Sequence, residues 1–436
     1  MKSFIFFTTI SVVILHLNTN IDDASIDNKY VNNETSERIA GDKKCIDCHS
    51  DIIEKKVVHF PASESCEDCH LKNEEPHPGS GVKGFSLAEE GAQLCYMCHD
   101  NFNTQKKIHY PVEDGNCVQC HSPHSSDNLF LLIETPSSGT CFTCHDKEEV
   151  ENKKVHNPYE QGDCAVCHDP HQSNFNAFLK KETFELCVSC HDNVQDEMKK
   201  ENVHAPADDC LNCHQAHVSE EKYLLEQKIA DNCYSCHDQV NAKKYAHLPV
   251  QEGECNVCHS PHGSPFEQFL LSKEADLCLS CHQETIWKTY KKKEQAQNNL
   301  SIHAAIEMGA CSSCHNPHSS DYHSLLTKNF PVGLYSTAEK ENFEVCFDCH
   351  DSNMLTEDVK ESTSFRNGDQ NLHYLHINGE KGRNCNTCHD MHSSTNEHLI
   401  LNKVMFGKWE MQMKYKPSEN GGSCAPGCHG ETIYVR

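Results

Sequence analysis

The chain has 436 residues, of which 30 are Cys and 33 are His. Acidic residues outnumber basic ones by 65 to 38, and the formal charge of -27 argues against binding to nucleic acid or to anionic membrane surfaces, because phosphates attract Lys and Arg. Apolar residues make up 37% of the chain, but only about 30% without the cysteines, which is thin for a globular core of this length. Disulfides, metal ions or a bulky cofactor must therefore supply part of the core.

The N-terminal segment has the pattern of an export signal. Lys2 precedes an apolar run from Phe4 to Leu17, which is short for a membrane-spanning helix. We predict a signal peptide or an N-terminal anchor over residues 1–20; the lack of small residues near Asn18 leaves both open. Residues 21–40 are rich in Asn, Asp and Ser and indicate a flexible leader. The protein is therefore expected to be exported, to the periplasm or to the outer surface.

A five-residue motif, Cys-x-x-Cys-His, then recurs fourteen times. A fifteenth, variant copy has three residues between Cys424 and Cys428. The motifs form seven double units, whose first cysteines are Cys45, Cys95, Cys141, Cys187, Cys233, Cys278 and Cys346. We predict seven tandem repeats over residues 41–400 and a C-terminal segment with the fifteenth motif over residues 401–436.

Fifteen pairs account for every cysteine in the chain. The pairs are Cys45 and Cys48, Cys66 and Cys69, Cys95 and Cys98, Cys117 and Cys120, Cys141 and Cys144, Cys164 and Cys167, Cys187 and Cys190, Cys210 and Cys213, Cys233 and Cys236, Cys255 and Cys258, Cys278 and Cys281, Cys311 and Cys314, Cys346 and Cys349, Cys385 and Cys388, and Cys424 and Cys428. The motif histidines that follow them are His49, His70, His99, His121, His145, His168, His191, His214, His237, His259, His282, His315, His350, His389 and His429.

This motif is typical of covalent attachment of c-type haem. Two thiols add to the two vinyl groups of one haem, and the adjacent His binds the iron from one face. A disulfide framework would suit an exported Cys-rich chain, but it gives no role to the His. The spacing from Cys45 to Cys69 also fits a zinc ribbon, which again leaves the His unused. A thiol redox motif belongs with a βαβ pattern that the sequence lacks. We therefore expect about fifteen covalently attached haems.

The other histidines indicate the second iron ligands. Each unit has a middle histidine between its two motifs, namely His59, His109, His156, His204, His247, His303 and His376. Each unit also has a following histidine after its second motif, namely His77, His124, His171, His217, His262, His318 and His392. Three more remain, His323, His373 and His398, and we assign His398 to the fifteenth haem. Met405, Met411 and Met413 are expected to pack the tail rather than to bind iron.

In six units the following histidine lies three residues after a motif histidine, as in His121-Ser-Pro-His124. So short a link cannot reach both faces of one porphyrin. The following histidine must therefore point to a neighbouring haem, which would tie consecutive haems together. His77, seven residues after His70, departs from this spacing.

The order Cys-x-x-Cys-His, Lys-x-x-His, Cys-x-x-Cys-His-x-Pro-His, as in Cys141 to His171, resembles the doubled repeat of multihaem cytochromes c in the cytochrome c3-like group. The resemblance covers residues 41 to about 400. It implies an electron carrier of the periplasm or outer surface, with haems in close contact. The expected fold is mostly irregular with short α-helices, in which seven two-haem repeats pack around covalently bound haems with little or no β-sheet. A short apolar segment, such as Leu129–Leu132, follows the second motif of a unit, and we call it the stub. Each stub is expected to form one or two helical turns.

Iron with two His ligands has no open position, so it passes electrons but binds no substrate. We therefore expect a non-enzymatic carrier in anaerobic or extracellular respiration. Two alternatives stay open: a reductase of nitrite, hydroxylamine or tetrathionate with one open haem, and a subunit of a conductive filament. The acidic chain should meet redox partners through a basic patch on the partner, and other multihaem cytochromes or copies of itself are further candidates. Membrane contact is expected only if the N-terminal segment stays uncleaved.

Overall fold

The computed structural model describes residues 44–74, 77, 84–134, 137–282, 300–355 and 363–436. The predicted signal and leader segments, residues 1–20 and 21–40, lie outside the described residues. In the described part of the chain, no helix combines the length and the apolarity needed to cross a bilayer. The chain divides into two compact units, one ending at His145 and the other spanning Asp146–Arg436.

Short helices are the main regular elements. The α-helices among the described residues are α1 (Phe60–Glu64), α2 (Ala92–Tyr96), α3 (Tyr110–Glu113), α4 (Ser137–Cys141), α5 (Asn157–Gln161), α6 (Cys164–Cys167), α7 (Thr183–Val188), α8 (Asp192–Glu197), α9 (Ile229–Tyr234), α10 (Leu248–Gln251), α11 (Glu274–Cys281), α12 (Ala304–Glu307), α13 (Glu344–Phe347) and α14 (Leu372–Ile377). Several of them begin immediately after a middle histidine, and a Pro in the first turn, as in α1, α3, α5 and α10, favours that start.

Turns of 3₁₀-helix carry many of the remaining motif residues. They span Cys45–Asp47, Ser50–Ile53, Cys66–Asp68, Cys117–Gln119, Leu129–Leu131, Asn176–Phe178, Ala205–Asp208, Cys210–Asn212, Lys222–Leu224, Cys255–Val257, Glu267–Phe269, Cys311–Ser313, His323–Leu325, Lys340–Phe343, Ser352–Leu355, Cys385–Thr387 and Glu397–Leu399.

The strands are short, and within each compact unit they pair in antiparallel orientation. They are β1 (Val57–Val58), β2 (His70–Lys72), β3 (Phe85–Leu87), β4 (Lys107–Ile108), β5 (Ser125–Ser126), β6 (Lys154–Val155), β7 (Gln172–Ser173), β8 (Asn202–Val203), β9 (Val218–Ser219), β10 (Tyr245–Ala246), β11 (Gly263–Ser264), β12 (Ser301–Ile302), β13 (Ser319–Ser320), β14 (Arg366–Asn367), β15 (Gln370–Asn371), β16 (Ser393–Ser394), β17 (Lys403–Phe406), β18 (Trp409–Gln412), β19 (Lys416–Ser418), β20 (Gly421–Cys424) and β21 (Thr432–Val435).

Two-residue strand pairs join one repeat to the next. The strand before a middle histidine pairs with the strand after the following histidine of the next repeat: β1 with β5, β6 with β9, β8 with β11, β10 with β13 and β12 with β16. The C-terminal segment is different, because β17 and β18 form a hairpin and β19, β20 and β21 form a three-stranded sheet. Strands are therefore more frequent than the sequence suggested, although most of them span two residues.

The apolar stubs form single short turns, as the sequence suggested, but the backbone of these turns is left-handed. Six stubs contain two consecutive residues with positive φ, for example Tyr223 (φ 58°) and Leu224 (φ 54°). The other five pairs are Phe130 and Leu131, Ala177 and Phe178, Gln268 and Phe269, Ser324 and Leu325, and His398 and Leu399. Left-handed backbone is costly for residues with a Cβ, so these turns persist because surrounding contacts impose them.

A buried serine fixes each of these turns. Ser264 is 2% exposed; its hydroxyl donates to the carbonyl of Leu270 and accepts from the backbone N–H of Phe266. The same two bonds are made by Ser126, Ser173, Ser219, Ser320 and Ser394. Each serine thus closes the loop between the second motif and the stub.

Apolar side chains form only a small core. Among the described residues nine apolar side chains are buried, and four of them, Phe330, Phe343, Leu355 and Ile377, form one cluster. Many other large apolar side chains are exposed, including Phe130 at 78% and Leu129 at 73%. Protein side chains alone therefore supply little of the packing that a domain of this size needs. The backbone of the described residues is mostly irregular, with short helices and strands.

Candidate haem-binding sites

Each motif folds locally so that its three functional side chains come together. In thirteen motifs the backbone N–H of the motif histidine donates to the carbonyl of the first cysteine, as His214 does to Cys210 at 3.0 Å. This single turn places both thiols and the imidazole next to one another. All 30 cysteines have free thiols in the structure, so none is used in a disulfide.

Fourteen pairs of histidine rings lie opposite each other at a nearly constant separation of their centroids. In every pair one ring belongs to a motif histidine. The pairs are His49 with His77, His59 with His99, His70 with His124, His109 with His145, His156 with His191, His168 with His217, His204 with His237, His214 with His262, His247 with His282, His259 with His318, His303 with His350, His315 with His392, His373 with His389, and His376 with His429.

The gap fits one metal ion between two imidazoles. Ring centroids lie 5.9–6.3 Å apart in all fourteen pairs, whereas packed aromatic pairs in general spread over about 4.5–7 Å. A histidine nitrogen binds a transition metal at about 2.0–2.1 Å, so two rings on opposite sides of one metal have centroids about 6 Å apart. The paired rings, together with the two thiols beside each motif histidine, therefore fit a c-type haem.

Two rules describe which histidines meet. A middle histidine lies opposite the first motif histidine of the next repeat, as His204 does with His237. A following histidine lies opposite the second motif histidine of the previous repeat, as His262 does with His214. His77 instead lies opposite His49 of its own repeat. Following histidines thus do point to a neighbouring site, as their short link to the motif requires.

His121 and His171 fall in different units of the chain. His121 Nδ1 bonds to the carbonyl of Phe130 at 2.7 Å, in the arrangement of the other second motifs. The backbone N–H of His171 donates to Asp169 at 2.9 Å.

Hydrogen bonds at Nδ1 orient the rings. Second-motif histidines donate Nδ1–H to the carbonyl nine residues later, which belongs to the first left-handed residue of the stub; His214 and Tyr223 are 2.8 Å apart. Three middle histidines, His59, His204 and His247, bond the carbonyl of a Pro in the next repeat, as His204 does to Pro261 at 2.9 Å. With Nδ1 occupied in this way, Nε2 remains as the metal ligand.

Burial keeps several of these imidazoles neutral, which is the form that binds metal. Burial, together with the neighbouring His389 and His376, lowers the pKa of His373 to about 4. Burial also lowers the pKa of His124 and the pKa of His318, and nearby histidines lower both further. For the thiols, burial raises the pKa of Cys385 to about 12, so this thiol is protonated at neutral pH.

Thiols of neighbouring motifs lie against one another. Cys95 and Cys117 share a side-chain hydrogen bond, and burial and Cys117 raise the pKa of Cys95 to about 11. The same contact between the first cysteines of two successive motifs joins Cys45 to Cys66, Cys187 to Cys210, Cys233 to Cys255, and Cys278 to Cys311. Groups attached at these thiols are therefore neighbours.

The C-terminal end corrects the assignment of His398. His376 lies opposite His429, and His373 lies opposite His389. His398 occupies the left-handed position of the last stub, where its carbonyl accepts Nδ1–H of His389 at 2.9 Å. It therefore has the backbone role that Tyr223 has in an earlier repeat, and the structure places His376 rather than His398 opposite His429.

His323 and the three methionines have structural surroundings. His323 Nε2 bonds the carbonyl of Phe330 at 2.9 Å, beside the apolar cluster. Met411 and Met413 are 1% and 4% exposed and pack in the tail, whereas Met405 is 55% exposed. The thiol of Cys428 is 3.4 Å from the sulfur of Met411.

An arginine that the sequence did not single out lies beside the fifteenth motif. Arg383 Nη2 is 3.8 Å from Cys428, and its guanidinium lies 4.4 Å from the ring centre of Tyr335. Its Nη1 is buried and has no hydrogen-bond partner among the described residues. Such a nitrogen suits a carboxylate, which a haem propionate would supply.

Comparison with protein families decides the classification. The family described as "Doubled CXXCH motif" matches residues 59–104, 109–150, 156–196, 204–242, 247–286 and 303–355, more than half of the chain. The chain belongs to the doubled CXXCH motif family. It is therefore a multihaem c-type cytochrome that binds haem covalently at these motifs and acts in electron transfer. A search of curated protein sequences found no match.

The family matches begin at a middle histidine rather than at a first cysteine. The match at residues 204–242, for example, holds His204 together with His237, which lies opposite it. A doubled CXXCH repeat in this frame thus contains one complete histidine pair. The buried serines, the prolines that offer carbonyls and the left-handed residues were not singled out from the sequence. The available signal was the sequence His-x-Ser, which begins at the following histidine in six of the seven units.

Proposed function

We propose that this protein carries electrons along a chain of fifteen haems, each held between two histidines. The single observation that carries the proposal is the set of fourteen ring pairs at 5.9–6.3 Å, each with one motif histidine. A haem supplies an iron that accepts or releases one electron. The two imidazoles of a pair would hold the iron from both faces, and an iron held in this way favours electron transfer over substrate binding. The electron comes from a reduced donor protein and goes to an oxidised acceptor protein, and no bond is made or broken.

The family matches contain twelve of the motifs, so a count of fifteen haems goes beyond what they cover. The three motifs outside them begin at Cys45, Cys385 and Cys424. Their histidines, His49, His389 and His429, each lie opposite a second histidine with the same ring separation as the others. This equivalence supports haem attachment at all three, including the variant Cys-x-x-x-Cys-His motif.

Contact between successive motifs supports conduction along the chain. The thiol contacts described above, such as Cys187 with Cys210, bring the attachment points of two haems together. Strand pairs also tie successive repeats together within each compact unit, as β8 and β11 do. Electrons would accordingly move between neighbouring sites in the order of the sequence.

The setting of the protein is part of the proposal. The apolar run from Phe4 to Leu17 supports export, and the setting that we propose is the periplasm or the outer surface in anaerobic or extracellular respiration. The charge of -27 supports partners that present a basic patch, and such binding weakens as salt rises. A reductase would need an iron with a free face, and the pairing of His376 with His429 favours the carrier.

The test is the response of the reduced protein to carbon monoxide. The full chain, with its haems attached, is reduced with dithionite, and its absorption spectrum is recorded before and after addition of the gas. We expect no change beyond the noise, because carbon monoxide needs a vacant axial position. A response from several haems would overturn the carrier proposal and favour a reductase.

A further inference from the structure

Two following histidines direct Nδ1 at a carboxylate within hydrogen-bond distance, whereas the carboxylate of Asp169 lies 3.9 Å from Nδ1 of His171. His217 Nδ1 lies 2.9 Å from Glu148 Oε1, and His262 Nδ1 lies 2.8 Å from Glu197 Oε2. Eleven other histidines direct Nδ1 at backbone carbonyls, namely His59, His121, His168, His204, His214, His247, His259, His315, His376, His389 and His429. His373 bonds the hydroxyl of Thr363.

Both carboxylates are held in place by contacts specific to their repeats. The backbone N–H of Glu148 donates to the hydroxyl of Tyr159 at 2.9 Å, and the ring of Tyr159 packs 4.8 Å from the ring of His217. The Glu148–Tyr159 pair thus fixes both the ring and its acceptor.

The second carboxylate depends on a glycine. Glu197 ends α8, and its backbone carbonyl approaches Gly263 so closely that a Cβ on Gly263 would lie 2.3 Å from it. The residue after the following histidine is Gly only in this repeat. The close approach of α8, and with it the reach of Glu197 to His262, therefore requires this glycine.

A carboxylate acceptor changes the ligand more than a carbonyl does. A hydrogen bond from imidazole to a carboxylate is charge-assisted, raises the basicity of the metal-bound nitrogen and places a negative charge next to the site. More electron donation to iron stabilises the ferric state and lowers the reduction potential.

We infer that Glu148 and Glu197 lower the reduction potentials of the two haem sites formed by His168 with His217 and by His214 with His262. These two sites stay oxidised at potentials at which sites with carbonyl acceptors are already reduced. They lie in successive repeats, so they form a low-potential step within the chain of sites. The inference rests on the proposed function, because it requires that these histidine pairs hold haem. Glu148 and Glu197 act through the histidines and are positioning residues.

The experiment compares Glu148→Gln and Glu197→Gln, singly and together, with Glu149→Gln and Glu201→Gln. Glu149 and Glu201 are exposed and nearby, so the control variants remove the same charge without the contact. Each full-length protein, with its haems attached, is titrated with dithionite in a spectroelectrochemical cell, and its ferric electron paramagnetic resonance spectrum is recorded.

We expect Glu148→Gln and Glu197→Gln each to raise the reduction potential of one haem, so that the lowest-potential part of the titration contains one electron fewer. In the double variant this part should contain two fewer. The ferric resonance of the affected site should shift as well. Glu197→Asp, which keeps the charge but shortens the reach, should behave like Glu197→Gln. If the titrations of both Glu variants overlay those of the controls, the inference is wrong.

Haem content and the response to carbon monoxide are measured on the same samples. Wild-type protein that lacks haem or binds carbon monoxide at these sites would contradict the proposed function itself. The inference alone would be overturned if the wild-type protein has all its haems and does not respond to carbon monoxide, and the Glu148 and Glu197 variants have the same reduction potentials as the wild type.

Discussion

The ring of His376 lies 6.3 Å from the ring of His429, although 53 positions separate them in the sequence. His376 is on α14, one helical turn after His373, which lies opposite His389. Residues three apart on a helix share a face, so one short helix supplies the second ligand to both C-terminal sites. Phe365 packs 5.2 Å from His373 and 5.7 Å from His376 and holds the two rings together.

This arrangement predicts which histidine closes the fifteenth site. His376→Ala should leave the site at His429 with one vacant axial position, and the reduced variant should then bind one carbon monoxide per chain. His398→Ala is the matched control, because only the backbone carbonyl of His398 takes part in a ligand contact. Absorption spectra of the reduced variants with and without the gas provide the measurement.

The opposite outcome would restore the assignment drawn from the sequence. If His398→Ala binds carbon monoxide and His376→Ala does not, the pairing of His376 with His429 is wrong. His373→Ala should also open one site, the one at His389.

The repeating spacing predicts the motif histidines and the regular second histidines, and the structure brings these rings together in pairs. This spacing is lost in the last repeat, where 39 residues separate the two motifs that begin at Cys346 and Cys385. There α14 turns two histidines toward two sites, and tertiary packing against Phe365 decides this. The left-handed position that His398 occupies holds a different residue in each of the six stubs, so in the sequence its histidine resembles a spare ligand.

The left-handed turns could not be inferred either, since residues such as Phe130 and Tyr223 strongly disfavour positive φ. The turns exist because a serine hydroxyl and a motif histidine both require carbonyls from the same stub. Neither contact is visible in a hydrophobic pattern. The short strands escaped prediction for a related reason, because they pair through the backbone and show no apolar alternation.

Strain at these turns gives a second prediction. Tyr223→Gly should stabilise the haem-loaded protein by about 1 kcal/mol, because glycine adopts positive φ without the Cβ clash. The side chain of Tyr223 is 66% exposed, so little packing is lost, and the backbone bond to His214 remains. Guanidinium unfolding followed by the Soret band measures the change.

Tyr223→Ala is the control for this change, since it removes the ring but keeps the Cβ. It should not stabilise the protein. Equal stabilisation by Gly and Ala would show that the phenol ring, rather than the backbone angle, is the unfavourable feature.

A third prediction concerns the buried serines. Ser320→Ala should destabilise the protein by about 1–3 kcal/mol, because the carbonyl of Leu326 and the N–H of Tyr322 lose their shared partner. Ser418, which is exposed in β19, offers a control, and Ser418→Ala should have almost no effect. The two variants are compared by the same unfolding assay. A similarly small loss of stability in both would show that the buried serine does not stabilise the turn.

The fourth prediction is the haem count. The intact mass of the purified protein should exceed that of the processed chain by fifteen haems of about 0.6 kDa each. The double variant Cys424→Ser with Cys428→Ser should lose one of them, and a pyridine haemochrome assay should agree. A wild-type protein with fourteen haems, unchanged in the double variant, would show that the variant motif is empty.

The last prediction follows from the small apolar core. Four residues, Phe330, Phe343, Leu355 and Ile377, make up the buried cluster, while stubs in the other repeats expose their apolar side chains. Haem held at the paired histidines would supply apolar surface that the polypeptide itself lacks. Without haem, burial is too small to offset the entropy of ordering the chain, so the unattached polypeptide should stay largely unfolded.

Expression with and without the haem-attachment machinery tests this dependence. The haem-loaded chain should resist limited proteolysis and unfold cooperatively, whereas the apo-chain should be cut throughout and show the far-ultraviolet dichroism of a disordered chain. Phe343→Ala in the loaded protein separates the two contributions, since loss of this fully buried ring should cost about 3–5 kcal/mol while every haem stays attached. A compact, protease-resistant apo-chain would show instead that the polypeptide, through its strand pairs and serine-closed turns, forms the fold before haem is bound.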